Sequence, residues 1–219
     1  MSFSWSHSKL EAYATCPKRY YHINVKKDFK ESFGAEADYG SKAHKFFEDY
    51  LLKGTPLPMD LQHHGKMLDK IKAAPGEGYG EQKLAINQDY EPTGYFDSDT
   101  WARGQVDYLK INGSAAAVFD WKFGKMKEDM QQLQIFALFI AIFRPQVERI
   151  TTAFYWAKDK KFTKATYVRD EVPALWNGLL PKINKLEIAH KTVDFPAKPS
   201  GLCKKYCPVT SCPHNGGYV

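Results

Sequence analysis

Apolar and polar residues change their period several times along the chain, and each change marks an element. Residues 6–14 carry a helical pattern with Ser4 or Ser6 placed to cap it, and Pro17 opens a second turn at a first helical position. Over 35–52, Phe46, Phe47, Tyr50 and Leu51 predict the buried stripe of a second helix. A third spans 60–73, with Leu61, His64, Leu68 and Ile71 on one face, and Pro75, Gly76 and Gly78 end it. The period then falls to two. Residues 81–86 read as a strand, a loop through Pro92-Thr93-Gly94 follows, and 103–122 (RGQVDYLKINGSAAAVFDWK) read as a hairpin. Helical spacing returns over 127–143, with Leu133, Phe136, Ala137 and Ile140 facing the core, and stops at Arg144-Pro145. Residues 147–157 and 162–168 alternate around Asp159-Lys160 as a further hairpin, and a helix over 172–190 leads into a Pro- and Gly-rich tail. This order predicts a single α/β domain over 1–219, with a mixed central sheet flanked by helices. Its parts are a helical stretch (1–75), the sheet with its helix (76–170), and a last helix with a cysteine-bearing tail (171–219).

Inside 103–122, Asn112-Gly113 is a strong two-residue hairpin signal, because both central residues of that turn need φ > 0. With those two as the loop, Ile111 pairs with Ser114 and Asp107 lies opposite Val118. Side chains alternate along a strand, so Asp107, Val118, Asp120 and Lys122 share one face, the two carboxylates being diagonal neighbours within reach of a common ion. A one-residue slip would turn Asp107 to the other face. An Asp or Lys on a strand is ordinarily a solvated residue. Here the apolar run AAAVF before Asp120 reads as a buried central strand, and charges at the end of such a strand need compensation. The hairpin is therefore expected to be a divalent-metal site.

Composition narrows the class. With 219 residues, 43% hydrophobic and 15% aromatic, the chain can build a sizeable core and is not disordered. The longest apolar run, 135–143, is too short to span a membrane. The opening MSFSWSHSKLEAY lacks a basic region followed by an apolar stretch, so a cytoplasmic location without a secretory signal is expected. The net charge of +6 leans toward polyanions, with lysines gathered at 26, 27 and 30, at 158, 160, 161 and 164, and at 198, 204 and 205. Cys203, Cys207 and Cys212 crowd together near one end while Cys16 stands alone near the other. In a reducing compartment this predicts a metal or cluster site rather than disulfides.

Taken in order, these marks resemble the PD-(D/E)XK nuclease superfamily, and within it the RecB-like exonucleases. That branch includes CRISPR-adaptation nucleases with an iron–sulfur cluster and stand-alone phage exonucleases. The resemblance covers nearly the whole chain: SHSKLEAYATCPKRYYH, GSKAH with its Gly-x-x-x-His spacing, EQKL, RGQVDYL, FDWKFGK with Asp-x-Lys, and QLQIF. Phe136 departs from the tyrosine usual in the last of these. The resemblance implies a restriction-endonuclease-like core with the Cys-rich C-terminal segment packed on the N-terminal helices. It implies that His44, Asp107, Asp120 and the backbone carbonyl of Trp121 hold Mg²⁺ or Mn²⁺. Glu81 would assist from the neighbouring strand, Lys122 would position or polarise the attacking water, and Gln132 would orient the site or contact the DNA backbone. Cys16, Cys203, Cys207 and Cys212 would hold a [4Fe–4S] cluster, although the spacing here is Cys-x3-Cys-x4-Cys rather than Cys-x2-Cys-x5-Cys. Four thiolates also suit Zn²⁺.

Elementary chemistry agrees with that implication. Phosphodiester hydrolysis needs a water activated near neutral pH and relief of the charge growing on the phosphate, and a hard ion held by carboxylates supplies both. A neighbouring lysine stabilises the same charge. Imidazole suits Mn²⁺ better than Mg²⁺, so His44 predicts good Mn²⁺ activity. The expected function is a metal-dependent DNA exonuclease acting on single-stranded DNA or duplex ends in recombination, repair or phage replication, alone or with a separate partner protein. Tyr20, Tyr21, Trp101, Tyr155 and Trp156 are candidates for base stacking. An endonuclease of the same superfamily, and a non-catalytic nucleic-acid-binding protein that keeps the fold, remain open.

Overall fold

The computed structural model describes residues 3–31, 35–127 and 129–217. These form two compact units, one built from both chain ends (3–31 and 179–217) and one from the stretch between them.

The first unit opens with α1 (His7–Thr15), whose N-cap Ser6 accepts the Lys9 N–H at 3.3 Å. Cys16 lies in extended conformation at the break, and Pro17 starts α2 (Pro17–Tyr20) at a first helical position. The chain then widens into a π-helical turn, Tyr21–Lys26, which the sequence pattern did not disclose. Tyr20 is buried and its hydroxyl meets His190 Nε2 at 2.8 Å, while Tyr21 stacks on Phe195. The cysteine-rich tail folds back onto these helices, as expected: the Lys18 N–H donates to the Pro196 carbonyl at 3.2 Å.

In the second unit, α3 (Ala35–Lys53) is followed by a 3₁₀ turn (Met59–His64) that leads into α4 (Gly65–Ala73). The strands are β1 (Glu77–Tyr79), β2 (Gln82–Ile86), β3 (Ala102–Val106), β4 (Tyr108–Asn112) and β5 (Ala115–Lys122). Then come α5 (Met130–Phe143), β6 (Arg149–Trp156), β7 (Lys161–Val168) and α6 (Val172–Thr192), which begins in this unit and ends in the other. The main sheet runs β1-β4-β5-β6-β7, with β5 and β6 parallel and the remaining pairs antiparallel. A parallel neighbour needs a crossover, and α5 provides it. Strands β2 and β3 form a separate two-stranded ribbon. Ala43, Phe47 and Leu51 of α3, with Leu68 and Ile71 of α4, pack against Tyr108, Trp121 and Tyr155. Eight residues of α5 are buried around its whole circumference, as befits an element enclosed by its neighbours.

Several expectations are corrected. Phe46 is 39% exposed and does not belong to the α3 stripe, whose buried members are Ala43, Phe47 and Leu51 at helical spacing. Gly76 and Gly78 do more than end α4, since 77–79 form the edge strand β1 beside β4. Helix α5 starts at Met130 rather than 127, capped by the Asp129 side chain. Trp101, Tyr155 and Trp156, like Tyr20, are buried, so they offer no face to a base.

The hairpin is also corrected, without losing its consequence. Asn112 pairs with Ala115, leaving Gly113-Ser114 as the loop. Only Gly113, at φ +56, takes the positive φ, which is the type II′ pattern rather than the I′ pattern that Asn-Gly suggested. Leu109 therefore pairs with Val118, two residues away from the expected register. An even shift keeps every side chain on its face, so Asp107 moves from a diagonal to a position directly beside Asp120. The segment 103–111 is not one strand either. It breaks at Asp107, with β3 joining β2 and β4 joining β5.

Candidate active site

Asp107 sits at the fork where β3 leaves the main sheet. Its Oδ2 accepts the Trp121 N–H at 2.7 Å, the donor that a continued β4 would have satisfied. The break thus trades one ladder bond for a carboxylate held at the strand end. Its Oδ1 lies 3.1 Å from His44 Nδ1 on α3, four residues after Gly40. Phe123 packs on the His44 ring, with centroids 5.5 Å apart. Burial alone would lower the His44 pKa, but the hydrogen bond and charge of Asp107 outweigh it and the net shift is upward.

Asp120 is 6% exposed near the end of β5. Lys122 Nζ stands 2.6 Å from its Oδ2 and donates to Gln132 Oε1 at 2.9 Å. Gln132, in the first turn of α5, reaches Asp120 Oδ1 with its Nε2 at 3.5 Å. The ring of Phe154 on β6 backs the Lys122 ammonium at 4.7 Å. Desolvation pushes the Asp120 carboxyl up to about 6; Lys122 and His44 pull it down, and the neighbouring Asp107 charge raises it further.

Two carboxylates on adjacent strands therefore face each other with a lysine, a histidine and a glutamine around them. The buried Asp120 Oδ2 has the Lys122 ammonium as its close partner among the described residues. A buried carboxylate with a second one directly beside it carries more negative charge than one ammonium offsets, and such a pair fits a hard cation. His44, Asp107 and Asp120 do not close into a set of ligand atoms all within 4.8 Å of one another. His44 is paired with Asp107, and Lys122 with Asp120. Trp121 contributes its N–H to Asp107, while its ring is buried edge-on to Phe47.

Glu81 stands apart from this group. It precedes β2, and since Gln82 pairs with Val106 its backbone lies alongside Asp107. Its side chain is 47% exposed and pairs with Lys83 at 3.5 Å, and no hydrogen bond or ion pair joins it to the cluster among the described residues. Phe123 and Phe154, which back His44 and Lys122, went unnoticed in the sequence because aromatic residues in such segments read as ordinary core.

A profile of the PD-(D/E)XK nuclease superfamily matches residues 4–213, almost the full chain. The chain belongs to the PD-(D/E)XK nuclease superfamily. Its mixed sheet with flanking helices is the restriction-endonuclease-like core of these nucleases. No curated protein matches this PD-(D/E)XK chain. Among solved structures it is similar to a "Putative exonuclease" from Eubacterium rectale, with 11% identity, a TM-score of 0.52, and coverage of 91% of this chain and 85% of that one. It is also similar to SSO0001, with 13% identity, a TM-score of 0.44, and coverage of 98% and 88%. Among the described residues of this nuclease, no helix is long and apolar enough to cross a membrane.

The four cysteines of this PD-(D/E)XK chain form no disulfide and line one cleft together with Lys18, Arg19 and His214. The Lys198 N–H points to Cys16 Sγ at 3.4 Å and the Ser200 N–H to Cys203 Sγ at 3.3 Å. Backbone donors of this kind stabilise thiolate sulfur. The Asn215 side chain donates to the Cys207 carbonyl at 2.7 Å and ties Cys207 to the turn that follows Cys212. Among the described residues no three of these sulfurs lie within 4.8 Å of one another, whereas a zinc tetrahedron with bonds of about 2.3 Å needs roughly 3.8 Å.

Proposed function

We propose that this chain is a divalent-metal-dependent deoxyribonuclease that removes nucleotides from single-stranded DNA or duplex ends. The observation that carries this reading is the meeting of Asp107 and Asp120 across adjacent strands, with the Asp120 carboxylate buried and Lys122 beside it. Asp107, Asp120, His44 and the Trp121 carbonyl would hold Mg²⁺ or Mn²⁺, which when bound neutralises phosphate charge and acidifies a water for attack. Lys122, steered by Asp120, Gln132 and Phe154, presents its ammonium to the phosphate oxygens as negative charge grows on them. Gln132 keeps that ammonium aimed. Glu81 is assigned a helper role only by its place alongside Asp107. The name carried by the Eubacterium rectale structure supports end-directed cleavage. A cytoplasmic setting, with a recombination or replication partner, fits such an activity.

The four cysteines are proposed to hold a [4Fe–4S] cluster in a structural role, with Zn²⁺ as the other occupant of the same ligands. Their common cleft, the N–H donors on sulfur and the wide sulfur spacing favour the cluster.

Labelled linear and covalently closed circular DNA, incubated with Mg²⁺ or Mn²⁺, test the main reading. Loss of linear DNA with circles intact is the expected result. Nicked circles would make the chain an endonuclease, and retardation without cleavage would make it a binding protein. Asp120→Ala is expected to abolish cleavage while leaving DNA binding in place, and normal cleavage by that variant would remove this site from the chemistry.

A further inference from the structure

The β2–β3 ribbon leaves the main sheet at Asp107, so whatever lies along it lies on a path out of the candidate site. Arg103 is on β3, four residues before Asp107, or about 13 Å at the rise of an extended strand. Its guanidinium rests against the rings of Tyr95 and Phe96, 5.6 and 5.5 Å from their centroids. It makes no hydrogen bond or ion pair with the described residues, and its Nε is buried with no acceptor. The outer nitrogens of this half-buried guanidinium are not enclosed, so their N–H donors are open to a ligand. The nearby carboxylates are otherwise engaged: Asp97 accepts the Gly94 N–H at 2.9 Å, and Asp99 accepts the Thr93 hydroxyl at 2.8 Å.

The neighbours point to the kind of ligand. Phe96 is 79% exposed, with an open ring beside the guanidinium. Between Arg103 and the site, Lys83 and Gln105 face each other across the ribbon, both exposed, and Lys83 leans toward Glu81 at the Asp107 end. A cation with unused donors, an exposed aromatic ring, and further polar groups leading to a hydrolytic centre match the sugar-phosphate backbone and bases of one strand.

We propose that the β2–β3 ribbon is a track for single-stranded DNA running into the site, with Arg103 holding a phosphate remote from the scissile one and Phe96 stacking on a base. The proposal rests on the nuclease reading above. The guanidinium binds the phosphate through paired N–H donors, and the aromatic support keeps the fork from swinging away. Lys83 adds charge nearer the chemistry.

The test measures binding of a fluorescently labelled single-stranded oligonucleotide by anisotropy over a salt series, in EDTA, alongside hydrolysis of a long oligonucleotide and of a p-nitrophenyl ester of thymidine monophosphate. Arg103→Ala is expected to reduce the salt slope of binding by about 0.7, one phosphate contact on a single strand. It should raise KM on the long substrate while leaving kcat and the rate on the small ester unchanged. Phe96→Ala is expected to weaken binding about fivefold or more, and as the ring is exposed this variant keeps the fold. Arg103→Lys is expected to keep the salt slope but bind more weakly, and it controls for any loss of folding in the alanine variant. Equal binding and equal salt slope in all three variants would overturn the track. A wild type that binds the oligonucleotide but hydrolyses neither substrate would overturn the nuclease reading, leaving the binding result to decide the track by itself.

Discussion

At the scale of single residues, the site depends on charges placed where water cannot fully serve them. Asp120 is the clearest case, a carboxylate enclosed by protein whose pKa burial raises to about 6. His64 shows the same physics outside the site. It is 2% exposed, its Nδ1 meets the Tyr155 hydroxyl at 2.8 Å, and burial, helped by His63 and Lys160, lowers its pKa to about 4. A histidine in the unfolded chain titrates near 6.5, so between about pH 6.5 and 4 the unfolded chain binds a proton that the folded one refuses. Stability from this residue is present above pH 6.5 and falls as pH drops through that window, by up to about 3 kcal/mol. His64→Gln, which can still meet Tyr155, should show a flatter dependence of melting temperature on pH than the wild type between 6.5 and 4. Parallel curves for the two proteins would mean that His64 is already charged in the fold. The five charged and polar groups at the site also differ in how readable they were. Asp107, Asp120 and Lys122 could be placed on one face from alternation alone, whereas His44 and Gln132 come from helices remote in sequence, and only the resemblance suggested them.

At the scale of elements, cationic side chains finish helices that the sequence leaves open. Lys110, on β4, is 7% exposed and donates to the carbonyls of Ile71 and Lys72, both at 2.8 Å, in the last turn of α4. Those carbonyls lack intrahelical partners and carry the negative end of the helix dipole. Arg169 treats the end of α5 similarly, reaching the carbonyls of Ala141, Arg144 and Val147. Lys110→Met fits the space but leaves the carbonyls unpaired, at about 2 kcal/mol, so the melting temperature should fall by roughly 4–8 °C. A shift within a degree would mean that water reaches these carbonyls. Existence and type of the elements were legible because periods of two and 3.6 survive in the sequence. The π-helical turn, the edge strand β1 and the break at Asp107 were not. Two of these are set by partners distant in sequence: β1 by β4, and the break by the Trp121 N–H that rewards a carboxylate at the fork.

At the scale of the whole molecule, the chain divides its labour between two compact units, and the cysteines lie wholly in the one made from the chain ends. Cys212 is the most enclosed of the four. Cys212→Ser in anaerobically prepared protein is expected to lose visible absorption and bound iron, and to open both the Cys16 region and residues 198–212 to protease, while the 35–178 unit stays resistant. Zinc by metal analysis, with no absorption in the wild type, would give the site to the other metal; protease resistance unchanged by the substitution would deny it a structural role. By itself the sequence determined the class of fold, the shared face of Asp107, Asp120 and Lys122, and the gathering of thiols, because strand alternation and local spacing are properties of adjacent residues. Tertiary structure decided the rest. The turn at Gly113-Ser114, the fork that sets Asp107 beside Asp120, the company of His44 and Gln132, and the seating of the Arg103 guanidinium against Tyr95 and Phe96 each depend on which surfaces meet after folding, and no local pattern encodes that.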